Sequence, residues 1–270
     1  MFIMKPIELY ENLKNINHIV FSAGEIHLTS PPVSPQLRAD VHSSETLMKL
    51  FGVLHTGVPK ILHIPYLPYG RADRYMPNAG GEVVGVKLLG DILNIFNLEK
   101  IYTLDAHSTA SSLVINNLTN IPPYAIIKQA LDNIAGAYLV SPDAGAEKKI
   151  YSYAKMFGTP VLRAYKTRDT KTGEITGIQF IDKPPKNAMF VVVDDICDGG
   201  KTFIELAKSG GFKPQNSILC VSHGIFSKGL EELKKYYGEI LTSDSFPHVP
   251  TVTTITYEEC YEFVTSHRLL

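Results

Sequence analysis

The stretch MFVVVDDICDGGKTFIE, residues 189–205, constrains the fold more than any other part of the chain. Its first part is wholly apolar and rich in valine, which is typical of a strand that is buried on both faces of a parallel sheet. The strand runs into Asp194 and Asp195, then into a glycine-bearing turn and a predicted helix start. Because open α/β sheets bind ligands beyond the carboxyl ends of their strands, this stretch predicts an α/β fold with a ligand site.

The turn after this strand has the features of a phosphate site. Turn N–H groups and helix N-termini attract phosphate oxygens, and the two aspartates suit ribose hydroxyls or a divalent metal ion. A loop that merely caps the next helix is the alternative, but a cap needs one carboxylate and this stretch, with Asp198, has three. A triphosphate P-loop is excluded, because the glycine required five residues before Gly200 is here Asp195.

Short β-branched runs alternate with helical patterns along the chain, which predicts βαβ units and mostly parallel sheets. One strand ends in Asp105-Ala106-His107 and a later one in Asp194-Asp195, and this doubling indicates two similar lobes. We place the lobes at residues 1–135 and 136–270. The predicted strands are 18–23, 60–67, 100–106, 136–142, 160–166, 175–181, 189–195 and 217–223, and the predicted helices include 45–56, 82–96, 146–156, 202–209 and 227–236.

Composition argues against several classes of function. The chain has 270 residues with 26 Lys and Arg against 27 Asp and Glu, so no global field favours nucleic acid or an anionic membrane. Its cysteines, Cys197, Cys220 and Cys260, are widely spaced and odd in number, which indicates a reducing, cytoplasmic setting without a zinc cluster. No apolar run reaches membrane-spanning length, and the start, MFIMKPIELYENLK, has charges mixed among its apolar residues, unlike a signal peptide.

Two segments of the first half carry candidate site residues. Residues 64–74, IPYLPYGRADR, present two arginines at a rigid strand exit, and arginine pairs bidentately with phosphate, although such runs are usually solvated surface. In residues 103–108, TLDAHS, His107 follows a strand end and could bind a metal ion or a phosphate, whereas a lone histidine is more often structural.

Two segments of the second half also carry candidate site residues. In VSPDAGAEK, Asp143 stands between a strand and a helix start that is rich in small residues. Lys166 and Arg168 lie in a run that we predict to be a loop, and in an extended chain residues at i and i+2 share a face. Two cations on a mobile loop can close on a transferring phosphoryl group, although ordinary surface charge is the commoner explanation of such a run.

Taken together, these segments resemble one family, the ribose-phosphate diphosphokinases or 5-phosphoribosyl diphosphate synthetases, of the type I phosphoribosyltransferase fold. The resemblance extends from Val20 to about Phe246. It implies two similar lobes, each a mostly parallel sheet flanked by helices, with an N-terminal ATP-binding lobe and a C-terminal ribose-phosphate-binding lobe. The matching segments, in order, are 21–25, 64–74, 105–108, 141–145, 166–168, 191–202 and 222–227.

The resemblance also implies an activity and a set of roles. ATP with Mg²⁺ would donate a diphosphoryl group to the anomeric hydroxyl of ribose 5-phosphate and release AMP, in a homodimer or higher homo-oligomer that serves nucleotide or NAD metabolism. The implied catalytic cations are Lys166 and Arg168. The implied ATP-binding residues are Phe21, Glu25, Arg71, Asp73, Arg74 and His107; the implied ribose-phosphate-binding residues are Asp143, Asp194, Asp195, Asp198, Gly199, Gly200, Lys201 and Thr202; and the implied metal ligands are His107 and Asp143.

The chain departs from the family pattern at the phosphate loop. The family reads Asp-Thr-x-Gly-Thr, whereas residues 198–202 read Asp-Gly-Gly-Lys-Thr, so a hydroxyl is lost and Lys201 is gained. Ala23 and Ala72 replace polar residues of the family's base and ATP motifs. The altered loop suggests an acceptor whose 5-phosphate is esterified, such as ADP-ribose, and ribose 5-phosphate remains the alternative.

Two other interpretations stay open. A transferase that consumes phosphoribosyl diphosphate would share the loop after Asp194-Asp195, but it would not need the Phe21 motif, residues 71–74 or the Lys166/Arg168 pair. A catalytically inactive regulatory relative would release no AMP from ATP with any ribose phosphate, and the presence of His107 and both cations argues against it.

Overall fold

The computed structural model describes residues 10–75, 83–132, 134–168 and 175–270. The chain forms two compact units. Unit 1 comprises Met1–Pro122 together with Val264–Leu270, and unit 2 comprises Pro123–Phe263.

Unit 1 is an α/β unit whose sheet, among the described residues, has five parallel strands in the order β1-β4-β5-β6-β7. A separate antiparallel hairpin is formed by β2 and β3. The elements are β1 (Glu11–Asn12), β2 (His18–Val20), β3 (Ile26–Leu28), β4 (Gln36–Arg38), α1 (Ser44–His55), β5 (Ile61–His63), α2 (Gly85–Ile95), β6 (Lys100–Leu104), α3 (Ala110–Val114) and β7 (Leu118–Ile121).

The core of unit 1 lies between one face of this sheet and the apolar sides of α1 and α2. Leu37, Leu62 and Ile101 occupy neighbouring register positions on β4, β5 and β6, and each is at most 1% exposed. They share the cluster with Leu50 of α1 and Leu89 of α2. Helix α1 begins after Ser43, whose side chain accepts a hydrogen bond from the Thr46 N–H and so satisfies one of the unpaired donors at the helix start.

Unit 2 contains, among its described residues, a seven-stranded sheet in the order β10-β9-β8-β11-β12-β13-β14. All neighbouring strands pair in parallel except β9 and β10, which form an antiparallel hairpin. The elements are α4 (Tyr124–Leu131), β8 (Ala137–Ser141), α5 (Glu147–Phe157), β9 (Val161–Arg168), β10 (Ile175–Phe180), β11 (Met189–Cys197), α6 (Lys201–Gly210), β12 (Ser217–Gly224), α7 (Glu231–Lys234), β13 (Glu239–Ser243), β14 (Thr253–Ile255) and α8 (Tyr257–Ser266).

Strand β11 is the centre of unit 2. Val191, Val192 and Val193 are at most 2% exposed, and β12 beside it is buried along its whole length. Burial on both faces explains why both strands are continuous apolar runs, since helices cover the two faces of a parallel sheet. The predicted α/β fold with two parallel-sheet lobes is confirmed, and no helix among the described residues is long and apolar enough to cross a bilayer.

Two predictions about local structure were wrong. The helix predicted over 227–236 is only the four residues of α7, because the N–H groups of residues 225–227 donate to Cys197 and Asp198, and that of Gly229 donates to Phe226, instead of starting a helix. The loop predicted to hold Lys166 and Arg168 is strand as far as Arg168, because β9 continues past the strand end predicted at residue 166 and the backbones of Lys166 and Arg168 pair with Ile178 and Ile175 of β10.

A buried histidine stands on the second face of the unit 1 sheet. His63, at the end of β5, is 1% exposed, and its ring centroid lies 5.5 Å from that of Tyr10 and 5.1 Å from that of Tyr102. Burial, together with the neighbouring Arg38 guanidinium, lowers the pKa of His63 to about 4. The imidazole is therefore neutral in the folded chain at pH values where a free histidine is protonated.

This burial predicts an acid-dependent loss of stability. Between pH 6.5 and about 4 the unfolded chain protonates His63 and the folded chain does not, so the free energy of unfolding falls as the pH falls through this window, by up to about 3 kcal/mol. His63→Phe, which keeps an aromatic ring between the tyrosines, removes that part of the pH dependence in urea unfolding curves. The exposed His55→Gln serves as the control. An identical pH dependence in His63→Phe and the wild type would contradict the assignment.

Candidate functional site

The carboxyl ends of three neighbouring strands bring polar residues to one edge of the unit 2 sheet. Strand β11 pairs with β8 on one side and with β12 on the other, both in parallel. Asp143 follows β8, Asp194 and Asp195 lie in the last part of β11, and His223 lies near the end of β12. Ligands of such sheets bind beyond this edge, so the register itself gathers the predicted ribose-phosphate residues.

The carboxylates at this edge interact electrostatically. Burial raises the pKa of Asp194 well above its usual value, and the neighbouring carboxyls of Asp195 and Asp143 raise it further. Asp194 Oδ1 also accepts a hydrogen bond from the Asp195 N–H at 2.9 Å. A carboxyl in this environment favours its protonated form, or a cation that takes the place of the proton.

Asp143 has a structural contact in addition to its predicted role. Its Oδ1 atom accepts hydrogen bonds from the backbone N–H groups of Gly145 and Ala146, at 3.0 and 3.1 Å. The Ser141 hydroxyl donates to the Asp143 carbonyl at 2.9 Å. These bonds shape the turn from β8 into α5, so the sequence analysis, which considered only metal and sugar binding for Asp143, missed this local function.

The predicted phosphate loop, residues 198–202, leads from β11 into the N-terminus of α6. Gly200 is the N-cap residue with φ of 75°, a left-handed conformation that suits glycine. Lys201 is the first helical residue; its side chain is 85% exposed, with its Nζ atom 3.8 Å from Glu205 Oε1. The N-cap residue is a glycine and offers no side-chain acceptor to the first N–H groups of α6, which an anion could satisfy instead.

The residues after β12 hold this loop in place. The Ile225 and Phe226 N–H groups both donate to the Cys197 carbonyl, at 2.9 and 3.0 Å, and the Ser227 N–H donates to the Asp198 carbonyl at 3.2 Å. The Ser227 hydroxyl donates to Asp198 Oδ1. Sequence analysis recognised residues 222–227 as a family motif but missed this contact, because 29 residues separate Asp198 from Ser227 and no pattern in the sequence joins them.

His223, from the same motif, lies inside unit 2. It is 2% exposed, and its Nδ1 atom lies 2.7 Å from the Ser245 hydroxyl oxygen. Ser243 in turn donates to the Ser222 carbonyl at 2.6 Å. The histidine therefore helps to fix the end of β12 beside β13, one strand away from Asp194.

The two predicted catalytic cations lie on the β9–β10 hairpin of unit 2. Lys166 and Arg168 are two residues apart on β9, whose backbone pairs with β10. Their side chains, and residues 169–174 between the two strands, lie outside the described residues.

In unit 1, the segment after β5 is close to His107. A Cβ atom added to Gly70 would lie 3.9 Å from the Cβ of His107, so the turn that begins the Arg71–Arg74 segment sits beside the histidine. Arg71, Arg74 and His107 are all exposed, and Arg74 Nε lies 3.9 Å from Asp73 Oδ1. The start of the predicted ATP-phosphate segment thus lies beside His107.

The backbone that presents His107 is tightly held. Asp105, 1% exposed, has a positive φ of 40°, and its N–H donates to the Ile121 carbonyl at 2.8 Å. The Ala106 N–H donates to Asn120 Oδ1 at 2.7 Å. Positive φ is uncommon for residues other than glycine, and the bonds to β7 hold this turn in the conformation that exposes His107.

The predicted adenine residues lie on the β2–β3 hairpin of unit 1. Phe21 is 50% exposed and Glu25 is also exposed. The Phe21 N–H donates to the Glu25 carbonyl at 2.9 Å, which closes the hairpin turn and puts these two residues opposite each other. Ile19 and Val20 are 47% and 50% exposed, so the hairpin as a whole displays an apolar surface.

Comparison with known proteins identifies relatives of one kind. A ribose-phosphate pyrophosphokinase of Thermosipho africanus is 26% identical over 236 residues, covering 83% of this chain and 70% of that protein. Another from Porphyromonas gingivalis is 28% identical over 223 residues, covering 76% and 68%. No family model matches the chain. The resemblance inferred from the sequence motifs is confirmed.

The fold also has a solved counterpart. A phosphoribosylpyrophosphate synthetase from Mycobacterium smegmatis superposes with a TM-score of 0.72, covering 94% of this chain and 90% of that one. The sequences are 16% identical, so this likeness concerns the fold.

The raised pKa of Asp194 predicts that stability changes with pH in the direction opposite to the change caused by His63. Because the folded-state pKa of Asp194 is raised, the folded chain binds more protons than the unfolded chain above the ordinary aspartate range, and ionisation costs stability as the pH rises. Asp194→Asn therefore melts at a higher temperature than the wild type at pH 7.5 and gains little at pH 3.5. The exposed Glu231→Gln is the control. An equal or lower melting temperature for Asp194→Asn at pH 7.5 would refute this.

Proposed function

We propose that this chain, a relative of the ribose-phosphate pyrophosphokinases, is a diphosphokinase that transfers the diphosphoryl group of ATP to the anomeric hydroxyl of a ribose phosphate. The relationship to curated proteins of that name carries the proposal. The anomeric oxygen forms a bond to the β-phosphorus and loses its proton, while the bond from the β-phosphorus to the α–β bridging oxygen breaks and AMP leaves.

Unit 2 supplies the acceptor's residues in this proposal. Asp194 and Asp195 bind the ribose hydroxyls, for which either an ionised or a protonated carboxyl can form hydrogen bonds. The loop Asp198–Thr202 binds the acceptor's phosphate through the N–H groups at the start of α6. The raised pKa of Asp194 and the glycine N-cap of α6 support these roles.

Unit 1 supplies the residues for ATP. Phe21 offers an exposed aromatic face for adenine, with Glu25 opposite it on the hairpin. The segment of Arg71, Asp73 and Arg74 lies beside His107 and offers guanidinium groups for the phosphates. The closeness of the start of this segment to His107 supports a common role for the two.

The donor chemistry of the chain fits Mg²⁺. Magnesium prefers oxygen ligands and is usually bound by one or two carboxylates together with substrate phosphates and water. In unit 2, Asp143, close enough to Asp194 to raise its pKa, would supply carboxylate oxygen to one metal ion or to the sugar. In unit 1, His107 would help to bind the Mg²⁺ that ATP carries. Bound magnesium would neutralise charge on the triphosphate. No group of three or more metal-ligating side chains occurs among the described residues.

Lys166 and Arg168 are the proposed catalytic cations. Phosphoryl transfer is catalysed mainly by positioning and by electrostatic stabilisation of the transition state. Two cations close together in the chain, at the end of β9, suit contact with a diphosphoryl group as its charge shifts.

The acceptor is either ribose 5-phosphate, as the relatives' names suggest, or a ribose whose 5-phosphate is esterified, such as ADP-ribose. The specific observation that favours the larger acceptor is the form of the loop. Gly199 carries no side chain, and Lys201 at the start of α6 is 85% exposed, so the loop offers an exposed cation to a second phosphate.

Assembly and location follow the same reasoning. The exposed apolar residues Ile19, Val20 and Phe21 support a homo-oligomer in which the hairpin is covered by another copy. Cys197, Cys220 and Cys260 are buried thiols outside any disulfide, which supports the predicted cytoplasmic setting.

An acceptor panel tests the proposal. Purified protein is incubated with ATP, Mg²⁺ and either ribose 5-phosphate, ADP-ribose or unphosphorylated ribose, and AMP and the sugar products are identified by mass. We expect AMP and a diphosphorylated sugar with at least one phosphorylated acceptor and neither with ribose. Equal or better use of ribose 5-phosphate removes the case for ADP-ribose, and no AMP with any acceptor favours an inactive relative.

Removal of one catalytic cation should reduce turnover far more than binding. Lys166→Ala is expected to lower kcat about 10²–10³-fold with little change in the KM for ATP, because its contact strengthens in the transition state. Lys183→Ala, an exposed lysine after β10, is the matched control. Unchanged kcat in Lys166→Ala would remove Lys166 from the mechanism.

A further inference from the structure

The segment after β12 forms part of the phosphate loop's surroundings. Backbone bonds from residues 225–227 to Cys197 and Asp198, and the bond from the Ser227 hydroxyl to Asp198 Oδ1, tie this segment to the loop. The Gly229 N–H donates back to the Phe226 carbonyl at 2.8 Å and closes a turn. The residue inside that turn, Lys228, is therefore held at a fixed place beside residues 198–200.

Lys228 lies against the glycine that replaces the family's threonine. A Cβ atom on Gly199 would be 3.5 Å from Lys228 Cγ, in ordinary van der Waals contact. A larger side chain at position 199 would crowd the lysine stem, so the glycine leaves room for it. Lys228 is exposed, and a long side chain of this type can keep its stem on the loop with its ammonium group in solvent.

The loop is supported from a second side by the same part of the chain. A Cβ atom on Gly200 would lie 3.2 Å from the side chain of Leu233 in α7. Leu233 is 2% exposed, so α7 packs beneath the loop while Lys228 stands beside it. A lysine whose backbone is held in this way loses less conformational freedom on binding an anion than a lysine on a mobile segment does.

We propose that Lys228 is a specificity-determining residue that binds the phosphate on the ribose 5-oxygen and replaces the hydroxyl missing at position 199. This inference rests on the proposed function, because it assigns the acceptor's phosphate to residues 198–202. Lys201 stands at the first position of α6 and Lys228 stands beside Gly199, so the loop has lysines at two different places around it. A phosphate seated on the α6 N-terminus then contacts an ammonium group where the family pattern offers a hydroxyl.

Calorimetric binding of ribose 5-phosphate without ATP tests this assignment independently of catalysis. Lys228→Ala should weaken binding about tenfold or more, as expected for loss of a charge-assisted contact, and Lys228→Arg should retain most of the affinity. Lys208→Ala, an exposed lysine in the last turn of α6, is the control and should bind as the wild type does. Equal melting temperatures establish that the variants fold.

A second variant tests the exchange of lysine for hydroxyl. In the Lys228→Ala background, Gly199→Thr should recover much of the lost affinity for ribose 5-phosphate, because the threonine hydroxyl occupies the vacated side of the loop. Affinity within twofold of the wild type in Lys228→Ala would overturn the inference. The inference would also be overturned if Lys228→Ala weakened the binding of ADP-ribose but not that of ribose 5-phosphate, since that would assign Lys228 to the distal phosphate. Binding that depends on Lys228 in a chain that forms no AMP would support the inference while refuting the proposed function.

Discussion

The burial of β11 between β8 and β12 is the constraint on which the site of unit 2 depends. Its valines lie in a sheet that is covered on both faces, so the strand has one favourable register and one direction. Because its neighbours are parallel, three strands end at the same edge. Asp143, Asp194 and His223 reach that edge by topology, although they are distant in sequence.

The same constraint lowers the stability of the protein when no ligand is bound at this edge. Asp194 is partly withdrawn from water and stands next to the carboxyls of Asp195 and Asp143, which raises its pKa. Stability alone would favour neutral residues here. A ligand that presents hydroxyl groups, or a cation, relieves part of this cost, which is why strained clusters of this kind are found at functional sites.

Much of the fold could be predicted from the sequence, because buried parallel strands are long apolar runs. The strands predicted at 136–142, 189–195 and 217–223 correspond to β8, β11 and β12, and helix predictions near α1, α2, α5 and α6 are within a few residues. The short strands β4, β7, β13 and β14 were not predicted, because three to five residues give too little periodicity. The chain divides after Pro122, where α4 begins to pack on β12 and β13.

The site was less predictable where it depends on contacts between distant segments. The sequence indicated Asp194, Asp195 and residues 198–202 because they follow a recognisable strand. It gave no sign that Ser227 holds Asp198 or that Lys228 lies against Gly199, since both contacts arise from the pairing of β11 with β12. The continuation of β9 to Arg168 was likewise missed, because the Thr, Lys and Gly residues around that position are typical of loops.

The central claim is that two phosphates move together from ATP to the sugar. It is tested most directly with ATP labelled in turn at the β- and the γ-phosphorus, in a reaction with Mg²⁺ and the acceptor that the protein uses. The account predicts that either label appears in the sugar product in equal yield, with AMP as the other product. Transfer of the γ-label alone, with ADP formed in place of AMP, would contradict it.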